Sequence, residues 1–284
     1  MKNITLLICT VLLTLVMFGC ASESQTLSVY SADYDLTELK AADLDDQELV
    51  EPYGKDKYDG FYCWVSKSND YMDQPQRLVV YNGRAEDEMI CKCMGSNGYF
   101  VGFNRQEFAS GIHFFRYTGN VIPKDEYLAG SLLPTGRCVA LLKDIGGHDI
   151  CYAITTWNEW DADENSERVT LWRLNFPTEK NGDQYSAEKV CDIVEQETAI
   201  GAVLLPSGEI LVATSSALYK VTTEGDVTQI EVPGKWEALC VNSMAVIEND
   251  VYIGTKYGVL SFQTQNNQFT WYPVDYSKII VKKD

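Results

Sequence analysis

The sequence predicts an all-β protein, specifically a β-propeller of five or six four-stranded blades within residues 57–284. From Gly60 onward, short segments rich in Val, Ile, Tyr, Phe and Trp alternate with turns rich in Gly, Asn, Asp and Pro. This alternation is typical of sandwiches, barrels and propellers. In the C-terminal part the strand pattern repeats after 41 residues, from Gly201 to Asn242. A four-stranded propeller blade takes roughly 40–45 residues, so the period favours the propeller.

The repeat appears when residues 201–226 are aligned with residues 242–267 without a gap. Each unit contains a buried strand, a tight turn, a second strand, a small residue, a third strand and a polar outer strand. The small residue is Ala213 or Gly254, and we expect it to let neighbouring backbones approach closely. Two positions are identical, Thr214 with Thr255 and Thr223 with Thr264.

Residues 250–260, with the sequence DVYIGTKYGVL, resemble the propeller repeat of periplasmic two-component-regulator sensors. The resemblance depends on the Ile-Gly-Thr-x-x-Gly core, covers two repeat units well, and implies the fold. The tryptophan that the family usually has before the isoleucine is Tyr252 here. No kinase or DNA-binding part follows, so the resemblance does not imply a signalling role.

The other blades are predicted from strand pattern alone. Residues 138–194 are expected to form a long blade with strands near 137–142, 150–157, 168–174 and 188–194. Residues 99–130 are expected to form a second blade, and residues 60–94 three strands of a third. A competing register places residues 132–136 over residues 204–208. A sixth blade could combine Leu27–Tyr30 with Ile279–Lys283 and so close the ring through both chain ends.

The charge balance excludes one class of partner. The chain has 23 basic and 41 acidic residues, a formal net charge of -18. Nucleic-acid binding needs a basic surface, so no nucleic-acid partner is expected. Only two histidines occur, His113 and His148, which excludes a three-histidine metal site.

The N-terminus resembles a bacterial lipoprotein signal. Lys2 precedes an apolar run over residues 4–18, and Gly19-Cys20 follows. Such a run is typical of a secretory signal peptide, here residues 1–19. The resemblance implies that Cys20 carries lipid and begins the mature chain, although Phe18 stands where the family prefers a small residue. An ordinary signal peptide or a single membrane anchor is the alternative.

This N-terminus predicts where the protein is found. Residues 20–56 are expected to be an acidic tether that joins the lipid to the propeller. The lipid would hold the chain on the extracytoplasmic side of a membrane in the bacterial cell envelope. Because anionic lipid repels the acidic body, contact with the membrane is expected through the lipid only.

Seven cysteines remain outside the signal and Cys20, which is an odd number. Cys91 and Cys93 would share one strand face, which is poor geometry for a disulfide between them. No Cys-x-x-Cys occurs, so no metal site or cofactor is predicted. Most of the seven are expected to be small buried apolar residues.

The histidines give weak signals. His113 lies in the middle of an apolar strand, where a hydrogen-bonded structural histidine is expected. His148 lies in a Gly-Gly-His-Asp turn, where a catalytic role has no further support. No Gly-x-Ser-x-Gly, phosphate-binding glycine loop or His-Glu-x-x-His occurs, so no catalytic residues are predicted.

The segment 157–167 is the strongest candidate for ligand binding. It combines Trp157 and Trp160 with five carboxylates, among them Asp161 and Asp163. Its Asp-x-Asp-x-Asn start is like that of a calcium loop, but Ser166 and Trp172 replace the glycine and glutamate that such a loop needs. The segment 66–76, with Tyr71, is expected to emerge on the same face of the ring. A merely solvated acidic loop is the alternative.

Two classes of function remain. The first is a non-enzymatic propeller that binds a glycan, a peptide or a protein of the cell envelope. The second is a propeller hydrolase or lyase with an extracellular substrate. Convergence of His148 with two or more carboxylates would favour the enzyme, and we expect the binder.

Overall fold

A computed structural model describes residues 26–28, 38–46, 49, 61–67, 78–84, 90–104, 110–117, 136–156, 168–177 and 185–274. Within these residues the protein is nearly all-β, with one short helix, α1 (Trp236–Leu239). No helix among them has the length and apolar character needed to cross a membrane. The strands are β1 (Thr26–Ser28), β2 (Glu38–Lys40), β3 (Phe61–Lys67), β4 (Leu78–Arg84), β5 (Ile90–Met94), β6 (Gly98–Asn104), β7 (Ser110–Arg116), β8 (Arg137–Lys143), β9 (Ile150–Thr156), β10 (Arg168–Asn175), β11 (Ser186–Glu195), β12 (Ala199–Leu204), β13 (Ile210–Thr214), β14 (Leu218–Val221), β15 (Val227–Ile230), β16 (Ser243–Ile247), β17 (Asp250–Gly254), β18 (Gly258–Gln263) and β19 (Gln268–Pro273).

The strands form consecutive antiparallel sheets, as a propeller requires. Three sheets have four strands each, namely β8–β11, β12–β15 and β16–β19. The strands β5–β7 form a three-stranded sheet, and β3–β4 and β1–β2 form two-stranded sheets in the described residues. The predicted long blade over residues 138–194 is confirmed, with its four strands close to the expected bounds.

The repeat predicted from the sequence is confirmed in its second and third strands. Val212 lies opposite Tyr219, and 41 residues later Ile253 lies opposite Leu260. The first strand departs from the gap-free alignment by one position. Leu204 pairs with Ile210 and Val246 pairs with Val251, so five residues separate the first pair and four separate the second.

One predicted boundary between blades is wrong. The sequence was divided between residues 60–94 and 99–130, but β5 pairs with β6 and so begins a sheet of its own. The Gly-Ser-Asn segment that separates the two strands is a tight turn, closed by a hydrogen bond of 2.8 Å from Gly95 N to Gly98 O. Turn residues mark a hairpin as readily as a break between sheets, so the pattern did not separate the two cases.

The core lies between the faces of neighbouring sheets. In β13 every residue is buried, because successive side chains point to opposite faces. Ile210 and Val212 pack toward β8–β11, and Leu211 and Ala213 pack toward β16–β19. A third cluster, which includes Phe100, Phe114 and Phe176, fills the space between β5–β7 and β8–β11.

The two-stranded sheet β3–β4 packs through β3 on the last sheet, β16–β19. The amide of Cys63 in β3 donates to the Thr255 carbonyl at 3.0 Å, and the amide of Val65 donates to Ser243 Oγ at 2.9 Å. A Cβ at Gly254 would overlap the Cys63 carbonyl oxygen. The expected close approach of backbones at this small residue is therefore confirmed, and it occurs where β3 meets the last sheet.

The N-terminal strands pack beside the last sheet. Strand β1 pairs antiparallel with β2, and Leu27 lies opposite Leu39. Ala42 then bridges to Trp271 in β19, and Leu44 is buried in the adjoining core. Ile279–Lys283 lies outside the described residues, so a sixth blade that combines both chain ends stays a prediction.

Candidate functional site

The residues predicted to bind lipid or ligand lie outside the described part of the structure. They are Cys20, Tyr71, Trp157, Trp160, Asp161 and Asp163. The strands on either side of the segment 157–167 are described, however. Strand β9 ends at Thr156 and β10 begins at Arg168. We call these two strand ends the base of the segment.

The β9 side of this base is held by threonine hydroxyls. Thr155 and Thr156 are both buried. Thr156 Oγ1 accepts a hydrogen bond of 3.0 Å from the amide of Ala199, the first residue of the next sheet. Thr155 Oγ1 accepts one of 3.0 Å from the indole N–H of Trp172. The end of β9 is thus tied to its own sheet and to its neighbour.

The β10 side of the base is held by charged groups. Arg168 contacts Asp192 at 3.2 Å and Glu195 at 3.5 Å, both on β11. Asp192 also accepts hydrogen bonds from Thr170 Oγ1 at 3.0 Å and from Lys189 Nζ at 2.6 Å. We call Arg168, Thr170, Lys189, Asp192 and Glu195 the β10–β11 charge network.

A bulge in β11 makes this network possible. Val169 lies opposite Val194, and Thr170 lies opposite Asp192, so Ile193 is an extra residue. Partial burial raises the pKa of Asp192, but the hydrogen bonds from Lys189 and Thr170 and the nearby positive charges outweigh it. The net pKa of Asp192 lies below its ordinary value of 3.8.

The next sheet, β12–β15, has a second polar group on the face of the molecule where β9 ends. Glu197, between β11 and β12, accepts hydrogen bonds from Thr214 Oγ1 and, at 3.0 Å, from the Tyr219 hydroxyl. Burial, followed by the hydrogen bond and charge of Glu197, raises the pKa of Tyr219 to about 12. The phenol is therefore a neutral donor at physiological pH. We call the face where β9, β13 and β17 end the Thr156 face.

The segments 66–76 and 157–167 are predicted to emerge on one face of the ring, but the strands that lead into them, β3 and β9, end on opposite faces. Strand β12 starts beside the end of β9, at the Ala199–Thr156 contact. Strand β3 starts beside the end of β17 in the same way, at the Cys63–Thr255 contact. Because β3 begins at the Thr156 face, it ends at the opposite one. Tyr71 therefore follows a strand that ends on the other side of the ring from Thr156.

That opposite face includes the turn with His148, and we call it the His148 face. His148 Nδ1 lies 2.9 Å from Asp144 Oδ2, with the imidazole side chain 72% exposed. Asp149 bonds instead to the hydroxyl of Ser96 and, at 3.4 Å, to Lys143 Nζ. The hydrogen bond from Ser96 is the main reason that the pKa of Asp149 lies below its ordinary value. Among the described residues His148 contacts the carboxylate of Asp144, whereas convergence with two or more carboxylates would favour the enzyme.

His113 does not match its predicted environment fully. It is half-buried in β7 and lies edge-on to the Phe103 ring, with 5.5 Å between ring centroids. Its Nδ1 is buried and has no hydrogen-bond partner in the described residues. Among the described residues no group of three or more His, Cys, Asp or Glu side chains could hold a metal ion.

Comparisons with known proteins find remote likenesses to solved structures. No family model matches the chain, and no curated protein matches it. Among solved structures it is similar to streptogramin B lyase, with 12% identity and a TM-score of 0.38 over 77% of this chain and 56% of that one. A catalytically inactive virginiamycin B lyase from Staphylococcus aureus, solved with quinupristin, gives 12% identity and a TM-score of 0.37 over 80% and 88% of the two chains.

AztD from Citrobacter koseri gives 13% identity and a TM-score of 0.39 over 77% of this chain and 58% of that one. The chain thus spans just over half the length of streptogramin B lyase and of AztD. At these identities and TM-scores the likeness supports no conclusion about family or activity. The propeller-like fold follows from the consecutive antiparallel sheets described above.

Proposed function

We propose that this chain is a lipid-anchored, extracytoplasmic β-propeller of five or six blades that binds a glycan, peptide or protein of the bacterial cell envelope. The binding surface is the segment 157–167 on the Thr156 face. The observation that supports it is the fixed base of this segment. Both flanking strand ends are tied down, Thr156 to the next sheet and Arg168 to β11. Long segments on a rigid scaffold are where binding residues are concentrated.

The residues of the segment suit a particular ligand chemistry. Trp157 and Trp160 offer flat apolar rings on which a sugar or an aromatic side chain can stack. Asp161 and Asp163 offer acceptors for hydroxyl or ammonium donors. The net charge of -18 disfavours anionic polymers. The ligand is therefore an uncharged or cationic segment that presents both an apolar face and hydrogen-bond donors.

The test uses the full chain with Cys20→Ala. If Cys20 carries lipid, this variant moves from the membrane fraction to the soluble fraction, where binding to a glycan array and to purified peptidoglycan fragments can be measured. Adding Trp157→Ala and Trp160→Ala should reduce binding at least tenfold and leave the melting temperature nearly unchanged. Tyr71→Ala is the matched aromatic control, and we expect it to bind as well as the parent.

Three results would contradict the proposal. Retention of the Cys20→Ala variant in the membrane fraction would exclude the lipid anchor. Unchanged binding after loss of both indoles would exclude the segment 157–167 as the site. A large fall in melting temperature in the double indole variant would show that the indoles pack between sheets and are structural.

A further inference from the structure

Four thiols meet where the β5–β7 sheet packs on the β8–β11 sheet. Cys91 and Cys93 are in β5, Cys138 is in β8 and Cys151 is in β9. The Sγ atoms of Cys91 and Cys138 are 3.5 Å apart, although the residues are 47 positions apart in sequence. Cys93 and Cys151 are a second interacting pair beside them, and Cys151 lowers the pKa of Cys93. The partners of the β5 cysteines are thus in the neighbouring sheet and not in their own strand.

A glycine opposite Cys91 leaves room for the Cys91–Cys138 pair. Gly102 in β6 lies directly opposite Cys91. A Cβ at Gly102 would overlap Cys138 Sγ and would lie 2.7 Å from Cys91 Sγ. On the other side, an irregularity in β8 between Cys138 and Ala140 changes the register at the cysteine. Two separate departures from regular sheet structure thus bring these two sulfur atoms together.

The four thiols differ in access to solvent. Cys138 and Cys151 are fully buried and Cys93 nearly so, whereas Cys91 is partly exposed. A reagent in solution therefore reaches Cys91 first. No group of three or more ligands in the described residues could hold a metal ion, so the cluster is better described as two thiol pairs than as a tetrathiolate site.

We propose that Cys91 and Cys138 form a reversible disulfide that joins the β5–β7 sheet to the β8–β11 sheet. The oxidant is a small disulfide such as oxidised glutathione. The Cys91 thiolate attacks one sulfur of that disulfide, whose S–S bond breaks and releases one glutathione thiolate. The Cys138 sulfur then loses its proton and attacks Cys91 Sγ, which expels the second glutathione. The two protein thiols lose two electrons, and one oxidised glutathione becomes two reduced molecules.

The order of attack follows from the environment of each thiol. The hydrogen bond from Cys138 lowers the pKa of Cys91, which makes Cys91 the better nucleophile at neutral pH. Burial, followed by the interactions with Cys91, raises the pKa of Cys138 well above its ordinary value, so Cys138 is the resolving thiol. A disulfide S–S bond of about 2.05 Å requires the two sulfurs to approach by roughly 1.5 Å, which side-chain rotation can supply.

The sequence allows an unambiguous map of the bond. Trypsin cleaves after Lys92, so Cys91 and Cys93 fall in different peptides, residues 85–92 and 93–105. Cys138 falls in residues 138–143 and Cys151 in residues 144–168. The full chain is incubated with oxidised glutathione, alkylated under denaturing conditions and digested. We expect a cross-link between residues 85–92 and 138–143, which dithiothreitol reverses.

Matched variants give a second readout. Oxidation should raise the melting temperature by on the order of 10 °C, because the bond closes a loop of 47 residues. Cys91→Ala should lose both the cross-link and the shift. Cys240→Ala, which removes an exposed thiol elsewhere, should keep both. Full alkylation of residues 85–92 and 138–143 in the oxidised parent chain would overturn the proposal, as would a cross-link from Cys91 to Cys93 or Cys151.

Discussion

Thr214 and Thr255 show how one side chain can fix the geometry of a turn. Both are fully buried; Thr214 is the last residue of β13, and Thr255 directly follows β17. Thr214 Oγ1 accepts from the amide of Ala217 at 3.0 Å and lies 3.1 Å from its carbonyl oxygen. Thr255 Oγ1 makes the same two contacts with Gly258. The identity of these two positions in the repeat therefore has a structural cause.

Removing one of these hydroxyls should destabilise the protein. Thr214→Val keeps the shape of the side chain but leaves the buried Ala217 amide without its threonine acceptor. We expect the free energy of unfolding to fall by about 1–3 kcal/mol, measured by urea denaturation. Thr228→Val, at an exposed position in β15, is the control and should change it by less than about 0.5 kcal/mol. Equal effects from the two variants would contradict this role of Thr214.

At the scale of an element, the strand pair β10–β11 combines an irregular backbone with a charge network. The bulge at Ile193 brings Asp192 opposite Thr170, and Arg168 and Lys189 then reach the same carboxylate. Asp192 therefore has a lower pKa in the folded chain than in the unfolded chain. A group of this kind stabilises the fold above its unfolded pKa, and the contribution is lost as the pH falls through the folded value.

The pH dependence of stability tests this network. Asp192→Asn should lower the free energy of unfolding at pH 7 by about 1 kcal/mol or less, since the carboxylate is partly exposed and screened. The difference between parent and variant should shrink as the pH falls below 3.8, the ordinary pKa of the carboxyl. Glu231→Gln, at an exposed carboxylate outside the network, should show a smaller difference. A difference for Asp192→Asn that grows toward acid pH would contradict the assignment.

For the whole molecule, the sheets from β5 to β19 lie in space in the order in which they follow one another along the chain. Strands β8, β12 and β16 lie side by side, β5 packs on β8, and β3 packs on β16. Each of the three four-stranded sheets buries both faces against its neighbours, which no single unit could do alone. The contact between β3 and the last sheet links the two ends of the series, as a closed ring requires.

Local patterns predicted much of this fold. Strands such as Ile150–Thr156 and the 41-residue register are properties of short segments, where apolar runs and turn residues suffice. The sheet to which β5 belongs and the neighbour of β3 were not predictable, because they depend on contacts between distant residues. The network around Asp192 and the Cys91–Cys138 pair depend on a bulge and on an open space beside a glycine, and neither has a signature in sequence pattern.

Amide hydrogen exchange in β3 tests the closure of the ring most directly. The Cys63 and Val65 amides donate to the last sheet, so a peptide that covers residues 61–67 should exchange slowly in the full chain. Gly254→Val, whose Cβ would overlap the Cys63 carbonyl, should speed exchange there and leave β8–β11 protected. Gly234→Val is the matched control, because nothing lies within 4 Å of a Cβ at that position. Rapid exchange of residues 61–67 in the parent chain, or no change in Gly254→Val, would contradict a ring closed between β3 and the last sheet.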